Sequence, residues 1–434
     1  PIISEVVIGN PKALLIVEFA EDERDENLNR LKKLQIAMTD LGFGWENSEE
    51  WQGGVVHVED AHQQARVSEM RKSGLNIMMS MKQDAKPVSF VEDCAVELEY
   101  LAEYTDKLTK IFKKYDTVGT WYAHASVGCL HVRPVLSMKK TDDVKAMRAI
   151  AEEAFELVKQ YGGSHSGEHG DGILRSEFNE TMFGPEMVSL FVQVKQFFDP
   201  IGIFNPNKIV DAPKMDDRSL FRFAPGYQAD DLPVIFDWSS WPGKSGGLQG
   251  AIEMCNNNGA CRKLEGGVMC PSYRVTKEER DSTRGRANSL RLALSGQLGP
   301  NALIGDEMEE TLKYCVSCKA CKRECPTSVD MAKMKLEIIA MRAATKGVSF
   351  RDKLIGYLPD YAPIASRLSF FLNLRNKWSL LSFILEKITG FTAKRELPHW
   401  RKDYFRDIEV SRVLPKQSEA DDKMPVILFV DTFN

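Results

Sequence analysis

Cys315-Val-Ser-Cys318-Lys-Ala-Cys321-Lys-Arg-Glu-Cys325-Pro326 decides how the second half of this chain is read. Two-residue gaps let one loop wrap three thiolates around a single iron–sulfur cluster, and a fourth cysteine followed by proline leads away toward another cluster. The proline opens a helix without loss, because the N–H it lacks would have no intrahelical acceptor. Four buried thiols or a zinc site is the competing reading, although zinc usually draws on two well-separated CxxC pairs.

Upstream, Cys255-x5-Cys261-x8-Cys270-Pro271 ends in the same Cys-Pro signature with irregular early spacing. By the crossover rule, Cys315, Cys318, Cys321 and Cys270 hold one cluster, while Cys255, Cys261 and Cys325 hold a second. The second set is one thiolate short of four. A three-iron cluster, a non-cysteine ligand and a ligand from another segment all stay open, so one or two clusters are expected, at least one of them 4Fe-4S. Cys94 and Cys129 stand apart from these seven. A disulfide framework would suit a small secreted domain, not a chain of 434 residues without an export signal. Arg284 and Arg286 lie between the motifs; cations there would raise a cluster potential, or simply begin a solvated helix.

Length suggests about two to three domains. With 27% charged residues and a net charge of −5, the chain is globular in type, and nucleic acid is not an expected partner. No apolar run is long enough to span a bilayer, and reduced thiols without a signal peptide suggest a cytoplasmic protein. The chain begins at Pro1 without Met and stops just after Pro425 to Val430, which reads as a buried strand, so a piece of something longer is expected.

Residues 1–212 mix two periodicities. Ala13 to Val17 and Val55 to Val58 read as strands. Asp25 to Leu41, Cys94 to Tyr115 and Val144 to Tyr161 read as amphipathic helices, the first stopped by Gly42 and the last by Gly162-Gly163. Val118 to Val135 reads as two short strands turning at Gly128. The expected fold is α+β, an antiparallel sheet with helices on one face, followed by an all-α two-cluster domain. Prolines and glycines mark residues 213–250 as an irregular linker. The iron–sulfur domain is set at 251–345, a helical extension at 346–424, and the opening strand of a truncated module at 425–434.

Three of the seven histidines fall in two compact motifs: His124-Ala-Ser-Val-Gly-Cys-Leu-His131-Val-Arg133-Pro134, and Ser166-Gly-Glu168-His169-Gly-Asp-Gly172 with Arg175 beyond. If Gly128 turns the chain, His124 and His131 meet at a hairpin mouth. Two histidines and Glu168 make a sensible three-ligand set for a divalent metal such as Zn, Mn or Fe, with His169 beside it as a base. The plainer alternative is a satisfied sheet edge and a loop ion pair.

Those motifs, with Phe198-Asp-Pro-Ile-Gly-Ile-Phe-Asn205-Pro-Asn-Lys208, resemble the C-terminal half of FAD-linked D-2-hydroxyacid dehydrogenases. The cysteine region resembles the iron–sulfur part of glycolate oxidase and heterodisulfide-reductase-type proteins. This resemblance implies that His124, His131 and Glu168 bind metal, that His169 is the catalytic base, and that Asn205 and Lys208 lie near the flavin. Where many relatives carry Asp-Gly-Asn, this chain has Val127-Gly128-Cys129. It further implies that FAD is held mainly by a Gly-rich flavin-binding domain absent from this chain, which would leave the fragment inactive alone.

The expected activity is oxidation of a small D-2-hydroxy acid, of D-lactate or D-2-hydroxyglutarate type, with hydride passing to FAD and electrons onward through the clusters to an unidentified acceptor. Arg133 or Arg175 would hold a carboxylate. The alternative is a non-catalytic electron-transfer or scaffold subunit without its own flavin. Residues 341–405 are basic and interleaved with Phe370, Phe371, Trp378, Phe383, Phe391 and Trp400, so peripheral contact with the inner membrane face is a third option, against helices packed with solvated charges. Oligomerisation stays open.

Overall fold

The computed structural model describes residues 6–7, 9–45, 54–229, 232–243 and 246–404. The chain divides into two compact units, residues 1–337 and 338–434.

In the first unit, helices α1 (Arg24–Asp40) and α2 (Ala61–Met78) precede a region of very short strands: β1 (Lys86–Pro87), β2 (Cys94–Ala95), β3 (Gly119–Thr120), β4 (Ala123–His124), β5 (Cys129–Leu130) and β6 (Arg133–Leu136). They form two antiparallel three-stranded sheets, ordered β1-β6-β3 and β2-β5-β4. Helices α3 (Leu101–Lys114) and α4 (Thr141–Gln160) pack on them, so the expected α+β class holds. Tyr104, Leu108 and Phe112 from α3 meet Ile150, Ala154, Phe155 and Val158 from α4, over Phe90, Leu130 and Val132. The spacing of three and four residues places these on one stripe of each helix. Each fully buried large apolar side chain contributes about 1.5–3 kcal/mol.

The turn between β4 and β5 needs glycine. Gly128 has φ +67°, and a Cβ there would lie 1.9 Å from the Val96 carbonyl oxygen. The resulting register pairs His124 with Cys129 and Ala123 with Leu130. A single antiparallel bridge between Ala95 and Ser164 then draws the distant Ser166–Gly172 loop onto the edge of β2.

Several sequence expectations change. The segment from Cys94 does not start as a helix: it pairs with β5 as β2, and helix begins only at Leu101. Its apolar residues are buried, but a partner strand takes the first two. Residues 13–17 and 55–58 are in no strand, and Leu14, Leu15 and Ile16 are more than half exposed. A strand exists only with a ladder partner, and among the described residues these segments have none. The expected strand at 425–430 lies outside the described residues.

After α4, the chain forms α5 (Pro185–Phe198), an irregular stretch, and then α6 (Gly247–Glu253), α7 (Pro271–Thr276), α8 (Thr283–Leu294), α9 (Asp306–Lys313), α10 (Ala320–Glu324) and α11 (Met331–Lys346). Ser282 caps α8 by accepting the Gly285 N–H at 2.9 Å. Gly285 is required here because a Cβ would meet the Glu279 carbonyl at 2.0 Å. Buried Glu337 ties the irregular stretch down: it accepts N–H groups from Ile235, Phe236 and the Trp238 indole at 2.6, 3.0 and 2.8 Å.

The second unit is helical: α12 (Phe350–Gly356), α13 (Leu358–Arg367), α14 (Ser369–Lys377) and α15 (Ser379–Thr389). Helix stops at Gly390, which adopts the left-handed conformation, and residues 391–404 are irregular. Among the described residues no helix is long and apolar enough to cross a membrane.

Candidate functional site

Histidines from the β4–β5 hairpin and from the Ser166–Gly172 loop converge on one carboxylate oxygen. Glu168 Oε1 lies 2.9 Å from His131 Nε2, 3.4 Å from His169 Nε2 and 3.6 Å from His124 Nε2. The His131 ring stacks on His169 at 4.8 Å between centroids and meets His124 edge-on at 5.1 Å. His131 is buried, whereas His169 is about half exposed on one side. Burial lowers the His131 pKa, and the nearby His169 lowers it further. His131 is therefore neutral at pH 7, with a lone pair available for a cation or a proton.

Beneath this cluster sits Asp93, fully buried, with φ +84°. Its carboxylate accepts the main-chain N–H groups of Glu168 at 3.0 Å and His169 at 2.8 Å, and its carbonyl accepts that of Gly167 at 2.7 Å. Burial pushes the Asp93 pKa up, but these amides and the Arg175 guanidinium outweigh it, so the group stays below the ordinary carboxylate value and is ionised. Asp93, His131, Glu168 and His169 place one ligand atom each within 4.8 Å of one another. The tight group thus includes two of the three metal ligands expected from sequence, adds Asp93 and the expected base, and leaves His124 at its rim. The donor set of carboxylates and imidazoles suits a divalent cation.

Cys129 faces Asp93 Oδ1 at 3.6 Å. Burial and that carboxylate push its thiol up to about 12, so it is a neutral packing group.

The two arginines expected to hold a carboxylate are already committed. Arg133 pairs with Glu92 through Nε at 2.5 Å. Arg175 is buried and donates to the carbonyls of Glu92 and Gly170 and to Asp93 Oδ2, the last at 3.4 Å. Both hold acidic groups beside the histidine cluster, Arg133 on Glu92 and Arg175 on Asp93. Beside the histidines stands a different guanidinium, unnoticed in the sequence: Arg71 Nε donates to the Tyr122 hydroxyl at 2.7 Å, and the Tyr122 ring stacks on His131 at 5.8 Å.

Asn205 and Lys208 occupy an exposed loop after α5 in which Asn205, Asn207, Ile209 and Asp211 all have positive φ. Such a conformation is strained for β-branched Ile209. The loop is tied to the histidine loop by the Ile209 N–H on the Gly172 carbonyl, at 3.4 Å. Next to it, Phe197, Phe198, Ile201, Ile203 and Phe204 are all more than 60% exposed, a contiguous apolar run of the kind that another surface covers.

The second centre is built from thiols. Cys270, Cys315, Cys318 and Cys321 line one pocket together with Thr283, Arg286 and Met331. This is the crossover set. The fit to an iron–sulfur cluster rests on donors already aimed at sulfur: the Thr283 N–H reaches Cys270 Sγ at 3.0 Å, and while burial raises the Cys321 pKa, the Met331 and Ala332 amides act against that rise. Helix N-termini α8 and α11 supply them, and both features favour negative charge on sulfur. Arg286 is buried against this pocket and pairs with Asp281 at 3.4 Å. Cys255 feels the charges of Cys325 and Cys261, the three remaining thiols of the region. Cys261 Sγ takes the Arg284 N–H at 3.4 Å and is also hydrogen-bonded by the Cys270 thiol, which lowers the Cys261 pKa.

Comparison with known proteins matches residues 6–209 to FAD linked oxidases, C-terminal domain, and residues 251–329 to the 4Fe-4S dicluster domain. D-2-hydroxyglutarate dehydrogenase from Escherichia coli is 29% identical over 86% of this chain and 40% of its own length, and that from Haemophilus influenzae is 27% identical over 87% and 39%. D-lactate dehydrogenase from Archaeoglobus fulgidus is 32% identical over 29% of this chain and 27% of its own. The chain spans about 40% of the length of the curated relatives it matches most fully. Histidine centre, thiol centre and both matches agree: one polypeptide joins an FAD-linked oxidase C-terminal domain to a 4Fe-4S dicluster domain.

Proposed function

We propose that the complete protein oxidises a D-2-hydroxy acid of the D-lactate or D-2-hydroxyglutarate type. The observation that carries this reading is the convergence of three imidazole Nε2 atoms on Glu168 Oε1. When bound, FAD supplies the hydride acceptor, the clusters an electron exit, and a divalent cation a Lewis acid that lowers the substrate hydroxyl pKa. His124, His131 and Glu168 would hold that cation, with Asp93 below them.

His169 takes the hydroxyl proton at Nε2. Its Nδ1 faces the Asp93 carboxylate across 3.9 Å, and its Nε2 lies 3.4 Å from Glu168 Oε1, inside the cluster where the substrate hydroxyl would sit. Arg71 binds a substrate carboxylate, while Arg133 and Arg175 hold Glu92 and Asp93 in place. Asn205 and Lys208 approach the flavin. The apolar run from Phe197 to Phe204 is covered by the flavin-binding domain.

In this reading the domains are a substrate domain at 1–212, a linker at 213–250, an iron–sulfur domain at 251–345 and an extension from 346 onward that is helical as far as Thr389. The extension carries a second surface. Phe370, Phe371, Trp378 and Leu380 are each more than 60% exposed among basic residues, which suits docking on an anionic membrane face.

The test is substrate-dependent flavin reduction by the complete protein, with metal analysis before and after chelation. Reduction by D-2-hydroxyglutarate or D-lactate that disappears on chelation and returns with a divalent metal supports the reading. Iron and sulfide without any hydroxy-acid-dependent reduction leaves an electron-transfer subunit instead.

A further inference from the structure

Two loops of the iron–sulfur region share one backbone course. In Cys315-Val-Ser-Cys318-Lys-Ala-Cys321, positive φ falls two and four residues after the first cysteine, at Ser317 (54°) and Lys319 (58°). In Cys255-Asn-Asn-Asn258-Gly-Ala-Cys261 it falls at the same two offsets, at Asn257 (63°) and Gly259 (77°). A helical turn starts immediately after the second left-handed residue in both, at Ala320 and at Ala260. The first and last cysteines superpose in this alignment, with Cys261 and Cys321 both buried. The middle position is exposed in both: Cys318 in one loop, Asn258 in the other.

Left-handed residues are costly outside glycine, so two at matching offsets define a specific loop conformation, not a generic coil. The cysteine loop that wraps a cluster is therefore present twice, and in its first copy an amide stands where the second copy has a thiol. That amide is turned back on the loop: Asn258 Oδ1 accepts the Ala260 N–H at 2.8 Å, and its Nδ2 donates to Asn256 Oδ1 at 2.5 Å. Arg284 closes the other side, donating to the Asn257 carbonyl at 3.3 Å.

We propose that the cluster held by Cys255, Cys261 and Cys325 has three thiolate corners, and that its fourth iron, at the Asn258 position, faces solvent and carries an exchangeable oxygen ligand. This rests on the iron–sulfur reading of the region and goes beyond it by locating the missing ligand. Oxygen donors hold iron in such clusters more weakly than thiolate does, so this corner is the labile one. Its loss balances as [4Fe-4S]2+ going to [3Fe-4S]0 plus Fe(II), with no net electron transfer. Ferricyanide then removes one electron to give [3Fe-4S]+, and is itself reduced to ferrocyanide.

The experiment uses the full chain reconstituted anaerobically with iron and sulfide, then titrated with ferricyanide and followed by low-temperature EPR, iron release and iron-to-chain ratio. The wild-type chain should develop the near-isotropic signal of an oxidised three-iron cluster, integrating to about one spin per chain, with release of one iron. Asn258→Cys should suppress that signal several-fold, while Asn258→Ser keeps it, which separates the missing thiol from damage to the loop. Cys318→Asn should roughly double it. A wild-type chain that retains two clusters and gives no three-iron signal overturns the proposal, as does an unchanged signal in Asn258→Cys. Colourless protein without iron removes the dicluster reading itself, a failure distinct from either of these.

Discussion

Asp93 Oδ2 accepts the main-chain N–H of His169 at 2.8 Å, joining residues 76 apart in sequence. With the Glu168 amide on Oδ1, it fixes the loop that carries both the central carboxylate and the proposed base. A buried carboxylate is stable there because Arg175, two loop amides and the Ser166 hydroxyl satisfy it.

Asp93→Asn should therefore weaken metal binding and turnover by about 10- to 100-fold while the protein stays folded, the usual effect of losing an outer partner of a ligand set. Asp93→Ala should also unfold the domain more easily, by about 3–5 kcal/mol, because Arg175 is left as a buried unpaired charge. Metal affinity and denaturant melts of the two variants check this; a neutral effect of both on metal content would remove Asp93 from the site.

His169→Ala in the complete protein should lower the rate of flavin reduction about 10²- to 10⁴-fold, the range of a general base. Cofactor content and Tm should be unchanged, since the side chain is about half exposed. Stopped-flow absorbance of the flavin reads the step directly.

Arg71→Ala should raise KM for the hydroxy acid more than it lowers kcat, at a cost of about 1.5–3 kcal/mol for a charged hydrogen bond. Arg133→Ala, by contrast, should act through stability. Steady-state kinetics with thermal melts on both variants separates binding from bracing.

Stability should fall as pH drops below about 6.5. Burial lowers the pKa of His165, as it does that of His131. In that window the unfolded chain binds protons at these rings and the folded chain does not, so acid favours unfolding until the folded rings protonate too. Melting curves across the interval should show the decline, and His165→Gln should make it shallower.

Cys270→Ser and Cys315→Ser should remove the same cluster, and Cys325→Ser the other, because the pocket groups Cys270 with the second motif. Iron per chain should drop by about half in each single variant, and combining Cys270→Ser with Cys315→Ser should take no more than either alone.

Local spacing carried a large part of this protein. The run from Cys315 to Pro326 declares its thiolate chemistry because cluster geometry is written in gaps of two and three residues. Helices α1 and α4 were legible for the same reason: their apolar residues recur at the helical period. Gly128 announced the hairpin that brings His124 toward His131. The pattern misled where a few residues do two jobs, as at Cys94, whose burial comes from a strand partner and not from helix packing. What tertiary structure alone decided is the company each group keeps. Asp93 is one acid among many until a bridge from Ala95 to Ser164 lays the glycine-bounded loop on it. Arg133 and Arg175 look like ligand-binding cations until Glu92 and Asp93 claim them, and Arg71 gains meaning only beside Tyr122. Short-range periodicity fixes elements because backbone hydrogen bonds and side-chain spacing are local; charge pairing across dozens of residues is not, and it is set only when the chain closes on itself.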